Sequence, residues 1–139
     1  MHFNHMELTL PRGTLTSEFR EEVDAFCTEV FGWSAIDSDL IGEACHLLMP
    51  GPEQFILLAE SDSPTSAPAC DHLGLLQDSR AEVDRLLDAC ESYAERDGRV
   101  TIVRYEDLVY PGLTVHAFNV KYLLPLYFDV ESMEHAVAA

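Results

Sequence analysis

The chain is short of positive charge. Only eight of its 139 residues are Lys or Arg, a single one of them lysine (Lys121), against 25 Asp and Glu, so the formal charge is −17 at neutral pH. Such a surface repels the phosphates of nucleic acid and the anionic face of a membrane, so neither is expected as a partner. Long apolar runs are missing too. Nothing approaches the roughly 18 to 20 apolar residues of a spanning helix, and Met1-His2-Phe3-Asn4-His5 lacks the basic start and apolar core of a secretory leader. The expected compartment is the cytoplasm. Cys27, Cys45, Cys70 and Cys90 form no Cys-x-x-Cys pair, which argues against a zinc knuckle or disulfide framework and for reduced residues in or near a core. No Gly-x-Ser-x-Gly elbow, Gly-rich phosphate loop or dinucleotide fingerprint occurs, which sets aside serine hydrolases, P-loop NTPases and Rossmann enzymes.

Hydrophobic residues make up 47% of the chain and charged ones 24%, enough apolar surface for one ordinary domain spanning 1–139 to fold around a core. Within it an internal repeat is visible. Asn4-His5-Met6-Glu7-Leu8 resembles Asp71-His72-Leu73-Gly74-Leu75 at an offset of 67, Gly32 matches Gly98 at 66, and Phe55 to Ser61 resembles Leu126 to Ser132 at 71. Three matches in one order point to a duplicated module, the first about 1–62 and the second about 70–134, joined by the Ser-, Pro- and Ala-rich stretch 61–69.

Each module reads strand, helix, then three strands. In the first helix Phe19, Val23, Phe26 and Val30 make one apolar stripe. The second opens on Ser79 with Glu82 three residues later, a capping box, and carries Val83, Leu86, Leu87 and Cys90. Both are expected to stop at a left-handed glycine, Gly32 and Gly98. β-prone runs follow at 34–41, 44–49 and 54–60, then at 100–105, 114–122 and 126–131, with turns at Pro50-Gly51-Pro52 and Pro111-Gly112.

Side chains alternate across a strand. His5, Glu7 and Thr9 therefore share one face, and Met6, Leu8 and Leu10 the other, which is expected to meet the helices. The same parity sets His72 against Leu73 and Leu75, groups Ile56, Leu58 and Glu60, and groups Tyr127, Asp129 and Glu131. Four strands are thus expected to send His5, Glu60, His72 and Asp129 or Glu131 to the face away from the helices. Two imidazoles with one or two carboxylates suit one divalent ion, Fe, Mn, Ni or Zn. His46 and His116 are expected as pocket-lining or surface residues, and His2 and His135 as mobile ones near the termini.

At these residues the chain resembles the vicinal oxygen chelate superfamily, which includes glyoxalase I, bleomycin-resistance proteins, fosfomycin-resistance enzymes and extradiol dioxygenases. The resemblance runs through the paired βαβββ modules over nearly the whole chain. It implies an α+β fold in which two modules form an incompletely closed eight-stranded barrel with helices outside, and a homodimer. It further implies metal ligands from the first and last strand of each module: His5 and Glu60, then His72 with Glu131 or Asp129. Glu60 and Glu131 are the expected catalytic acids. An alternative register puts Leu58 at the first-module ligand position and leaves His5, His72 and one carboxylate. The Asp-Pro-x-Gly turn common before the last strand in that group is replaced here by Leu124-Pro125-Leu126-Tyr127. Two functions follow from the resemblance: a glyoxalase- or dioxygenase-like enzyme acting on a small oxygenated substrate chelated to one metal, or a bleomycin-resistance-like protein that binds and sequesters a small molecule without catalysis.

Overall fold

The computed structural model describes residues 1–39 and 42–137. It divides into two compact units, Met1–Ser66 and Ala67–Ala139. Each holds one mixed sheet and one long helix, so the chain is α+β, and neither sheet is closed on itself.

The first unit runs β1 (His5–Pro11), α1 (Ser17–Phe26), a π-helical turn (Cys27–Phe31), β2 (Ser34–Ser38), β3 (Cys45–Gly51) and β4 (Gln54–Ser61). Its sheet has the order β1-β4-β3-β2, parallel between β1 and β4 and antiparallel elsewhere. Thr16 caps α1 by accepting from Phe19 N at 3.2 Å, which satisfies one of the free N–H groups of the first turn. The apolar stripe does not finish as α-helix. The last turn widens to π geometry, which keeps Cys27 and Val30 buried beside Val23 and Phe26, and Gly32 then ends it at φ 71°. The expected second strand, 34–41, ends at Ser38, and Leu40 and Ile41 lie outside the described residues.

The second unit runs β5 (His72–Gln77), α2 (Arg80–Arg96), β6 (Thr101–Arg104), β7 (Leu108–Tyr110), β8 (Leu113–Lys121) and β9 (Tyr127–His135). Its sheet is ordered β5-β9-β8-β6, with β7 also paired to β8. Ser79 accepts from Glu82 N at 3.2 Å, one half of the expected capping box, while the Glu82 carboxylate takes Arg85 at 3.1 Å. Two expectations fail here. Gly98 is not left-handed. The helix instead ends at an extended Asp97, whose carboxylate accepts from Arg99 N at 3.1 Å and from Tyr122 Oη at 2.8 Å. The described residues also hold nine strands rather than eight, because Tyr105–Asp107 splits the outer strand into β6 and β7. The strand β7 returns into β8 through Pro111-Gly112, with Gly112 at φ 81°.

Register fixes which face each side chain takes. In the second sheet Phe118, Val120, Phe128 and Val130 are all buried, lie level with one another, and share the face of Leu73 and Leu75; α2 packs here with Val83, Leu86 and Cys90. The opposite face carries His72, Gly74, Asp129, Glu131, Ala117 and Asn119. In the first sheet Leu8 and Leu58 pair on the helix side, both fully buried, and His46 beside Leu58 reaches Asp24 of α1. The other side is an apolar cluster of Cys45, Leu47, Leu57 and Ala59, with Met49 and Phe55 against it.

Candidate ligand and metal site

Strand β5 opens on His72 because the chain enters it from a turn in which Asp71 N donates to Pro68 O at 3.0 Å. The imidazole Nδ1 lies 2.9 Å from the carbonyl of Cys70. A carbonyl only accepts, so Nδ1 carries a proton, and in the neutral ring the Nε2 lone pair is free for another partner. Nε2 stands 3.5 Å from Asp129 Oδ2 on the neighbouring strand β9. Two residues further along β9, and on the same face, is Glu131.

Burial holds the Asp129 carboxyl above the usual aspartate range, with His72 pulling the other way. Burial likewise raises Glu131, and repulsion from Asp129 adds to it. Asp129 Oδ1 and, at the level position on β8, Asn119 Oδ1 are buried acceptors without a hydrogen-bond donor. These groups line a cavity of about 440 Å³. One sheet face forms the floor, with His72 of β5, Asp129 and Glu131 of β9 and Val115, Ala117 and Asn119 of β8 side by side, and Cys70, Tyr105, Glu106 and Leu108 complete the lining. Among the described residues the lining therefore mixes apolar and aromatic side chains with acidic ones and includes no Lys or Arg.

The first unit places its expected residues differently. His5 is exposed, stacked on Phe55 with ring centroids 4.7 Å apart, and its Nδ1 lies 2.8 Å from Asn4 Oδ1. The register is His5↔Phe55, Leu8↔Leu58 and Leu10↔Glu60. Glu60 thus lies on the helix-side face, opposite to His5, and the expectation that they share a face is corrected. Its carboxylate accepts from Leu15 N at 2.8 Å, and hydrogen bonds from the Gly13 and Leu15 amides hold it below the usual glutamate range. The physical reason is a single residue of register. The pairs His5↔Phe55 and His72↔Tyr127 match Ala59, not Glu60, to Glu131, and a slip of one residue moves a side chain to the other face. His46 and His116, expected at a pocket or surface, lie on the helix sides of their sheets.

Among the described residues no three His, Cys, Asp or Glu side chains gather closely enough to hold an ion as placed. The donors of the second unit nevertheless fit a divalent cation in kind. An imidazole with its outer nitrogen tied to a carbonyl is the usual arrangement of a metal-binding histidine, and the orphaned Asp129 oxygen is an unused hard donor.

No protein-family model matches the chain, and no curated protein matches it. Solved structures do. A glyoxalase family protein from Bacillus anthracis superimposes with a TM-score of 0.61 at 16% identity, over 98% of this chain and 96% of that one. The fosfomycin resistance protein FosX from Listeria monocytogenes, solved with Mn(II) and sulfate, gives 0.62 at 15% identity, over 99% and 90%. An integron cassette protein from the mobile metagenome of Vibrio cholerae gives 0.56 at 19%, over 95% and 94%. The strand–helix–strands order of both units is therefore a shared architecture, and the chain has the fold of the vicinal oxygen chelate superfamily, the group of these glyoxalase-type, fosfomycin-resistance and integron-cassette structures.

Proposed function

We propose that the chain is a divalent-metal protein of the glyoxalase or fosfomycin-resistance type that binds a small oxygenated molecule in the cavity of its second unit. The observation that carries this reading is the one sheet face on which His72, Asp129 and Glu131 stand beside the apolar Val115 and Ala117, with a buried Asp129 oxygen lacking a donor. In the reading, His72 and Glu131 or Asp129 hold the metal. Glu60 is left out, since its carboxylate is engaged by the 13–15 turn. When bound, the ion supplies Lewis-acid polarisation of a substrate oxygen. The chain's own groups then have distinct tasks. Val115, Leu108 and Tyr105 exclude water from the organic part of the ligand, and whichever acid of Asp129 and Glu131 is not a ligand can hold a proton, because burial already favours its neutral form. The reading takes in the incompletely closed barrel, the homodimer and the cytoplasmic setting implied by the resemblance, and a small molecule as the partner.

The test is Mn(II) binding to the full chain by titration calorimetry and by metal analysis after dialysis. His72→Ala and Glu131→Gln should each weaken binding by at least the roughly tenfold to hundredfold that loss of even an outer-shell partner costs. Equal Mn(II) retention by wild type and His72→Ala overturns the metal site. A second reading, sequestration of a small molecule without metal, is favoured by the absence among the described residues of three gathered donors. It predicts a wild type that retains no Mn(II) yet takes up an apolar cavity probe, displaced when Val115 is enlarged to Trp.

A further inference from the structure

Each unit contains a histidine on a central strand held between two aspartates, with an arginine beside them. In the first, His46 of β3 is 3% exposed. Its Nε2 is 2.6 Å from Asp24 Oδ1 on α1 and its Nδ1 2.8 Å from Asp37 Oδ1 on β2, which Arg20 of α1 also reaches at 2.8 Å. In the second, His116 of β8 has Nε2 2.7 Å from Asp84 Oδ1 on α2 and Nδ1 2.8 Å from Asp107 Oδ1. Arg80 of α2 pairs with Asp107 at 2.5 Å and with Glu134 of β9 at 3.5 Å. The spacings are identical: Arg and Asp four apart on the helix, Asp and His nine apart across the hairpin. The two sets do not occupy identical places, since Arg20 is four residues past its cap Thr16 whereas Arg80 directly follows Ser79.

That displacement gives the second set a task the first lacks. Asp107 lies in the Tyr105–Asp107 break between β6 and β7. Tyr105, Glu106 and Leu108, on either side of it, form a wall of the ligand cavity. The segment is tied to β8 in two places, by Asn119 Nδ2 donating to Tyr105 Oη at 3.2 Å and by His116 at Asp107. We propose that protonated His116 is a latch that holds this cavity wall against β8, and that the wall loosens as pH rises. Regulation of the cavity in this way rests on the reading of that cavity as the ligand site.

A carboxylate accepts and cannot donate, so only the imidazolium, with both N–H groups, can donate to Asp107 and Asp84 at once. In that state Nδ1–H donates to Asp107 and Nε2–H to Asp84. Arg80 Nη1 stands 2.8 Å from the same Nδ1. On loss of the proton, Nδ1 becomes an acceptor and takes a hydrogen bond from Arg80, while Asp107 keeps Arg80 and loses His116. The Asp107 end of the wall then hangs from Arg80 of α2 and no longer from His116, while Asn119 still holds Tyr105. Around the ring, burial opposes the charged form and so does Arg80; Asp107 and Asp84 outweigh them and hold the value above the ordinary 6.5. The latch is therefore fully formed below that ordinary value and is lost as pH rises through the raised one.

The test is an NMR titration of the full chain, following the His116 imidazole and the backbone amides of 105–108. The expected result is one shared midpoint above 6.5 for ring and wall. Asp107→Asn, which leaves the imidazole and the core untouched, should lower the His116 midpoint and uncouple the wall amides from it; Asp37→Asn in the first unit should change neither. A His116 midpoint at or below the ordinary value, or wall amides that do not follow it, overturns the latch. Mn(II) titration of the same sample separates the two readings: a wall that follows His116 in a protein that binds no Mn(II) removes the metal site and leaves the latch.

Discussion

At the scale of single residues, Glu60 shows how one position decides between a ligand and a structural group. Its carboxylate closes the turn after β1 through the Gly13 and Leu15 amides. Glu60→Ala should destabilise the chain by about 1 kcal/mol, as expected for a partly exposed charge-assisted hydrogen bond, and leave Mn(II) retention unchanged. Urea unfolding and metal analysis on one preparation check both. The sign with pH follows from the lowered folded value. The contribution is present above the ordinary glutamate value of 4.5 and fades as pH falls through the depressed one, so the gap between wild type and variant should close in acid. The alternation of His72, Asp129 and Glu131 was readable in the sequence, because parity within a strand needs no partner. The face of Glu60 relative to His5 was not readable, because it depends on the register between two strands 50 residues apart, and the repeat match at the last strands was one residue out.

At the scale of elements, caps were more legible than ends. The Ser79–Glu82 box located α2 to the residue, and the hydrogen bond from Glu82 N to Ser79 Oγ is the one its pattern requires. Ser79→Ala should cost about 1 kcal/mol, measured as a lower urea midpoint with an unchanged slope. Helix ends depend on less local chemistry. The apolar stripe of α1 runs on into the π turn that buries Val30, and the stop at Asp97 is fixed by Arg99 and by Tyr122, which is distant in sequence just past β8. The strand β7 escaped notice because Leu108, Val109 and Tyr110 do not alternate between apolar and polar, and all three are exposed. The two Arg–Asp–Asp–His sets left a visible trace, equal spacings of four and nine. That trace gains meaning only when α1 is laid on β3 and α2 on β8.

At the scale of the whole molecule, all eight cationic side chains are engaged locally. Arg12, Arg20, Arg80, Arg85, Arg99 and Arg104 each reach a carboxylate, while Arg96 lies over Tyr93 and Lys121 over Tyr127. The surplus of 17 negative charges is left without a counterpart of its own, and it lowers the potential at any cation entering the acidic cavity. The cysteines are distributed just as unevenly. Cys27, Cys45 and Cys90 are buried, and burial pushes the first and last up to about 12, whereas Cys70 is exposed in the cavity lining near His72. A thiol-specific chromogenic reagent should therefore titrate one sulfhydryl in the native protein and four in denaturant, and two or more fast-reacting native thiols would contradict this packing. The fold has in effect provided a single chemical handle beside its cavity, so that a maleimide dye placed there without any engineered cysteine becomes an optical gauge of occupancy.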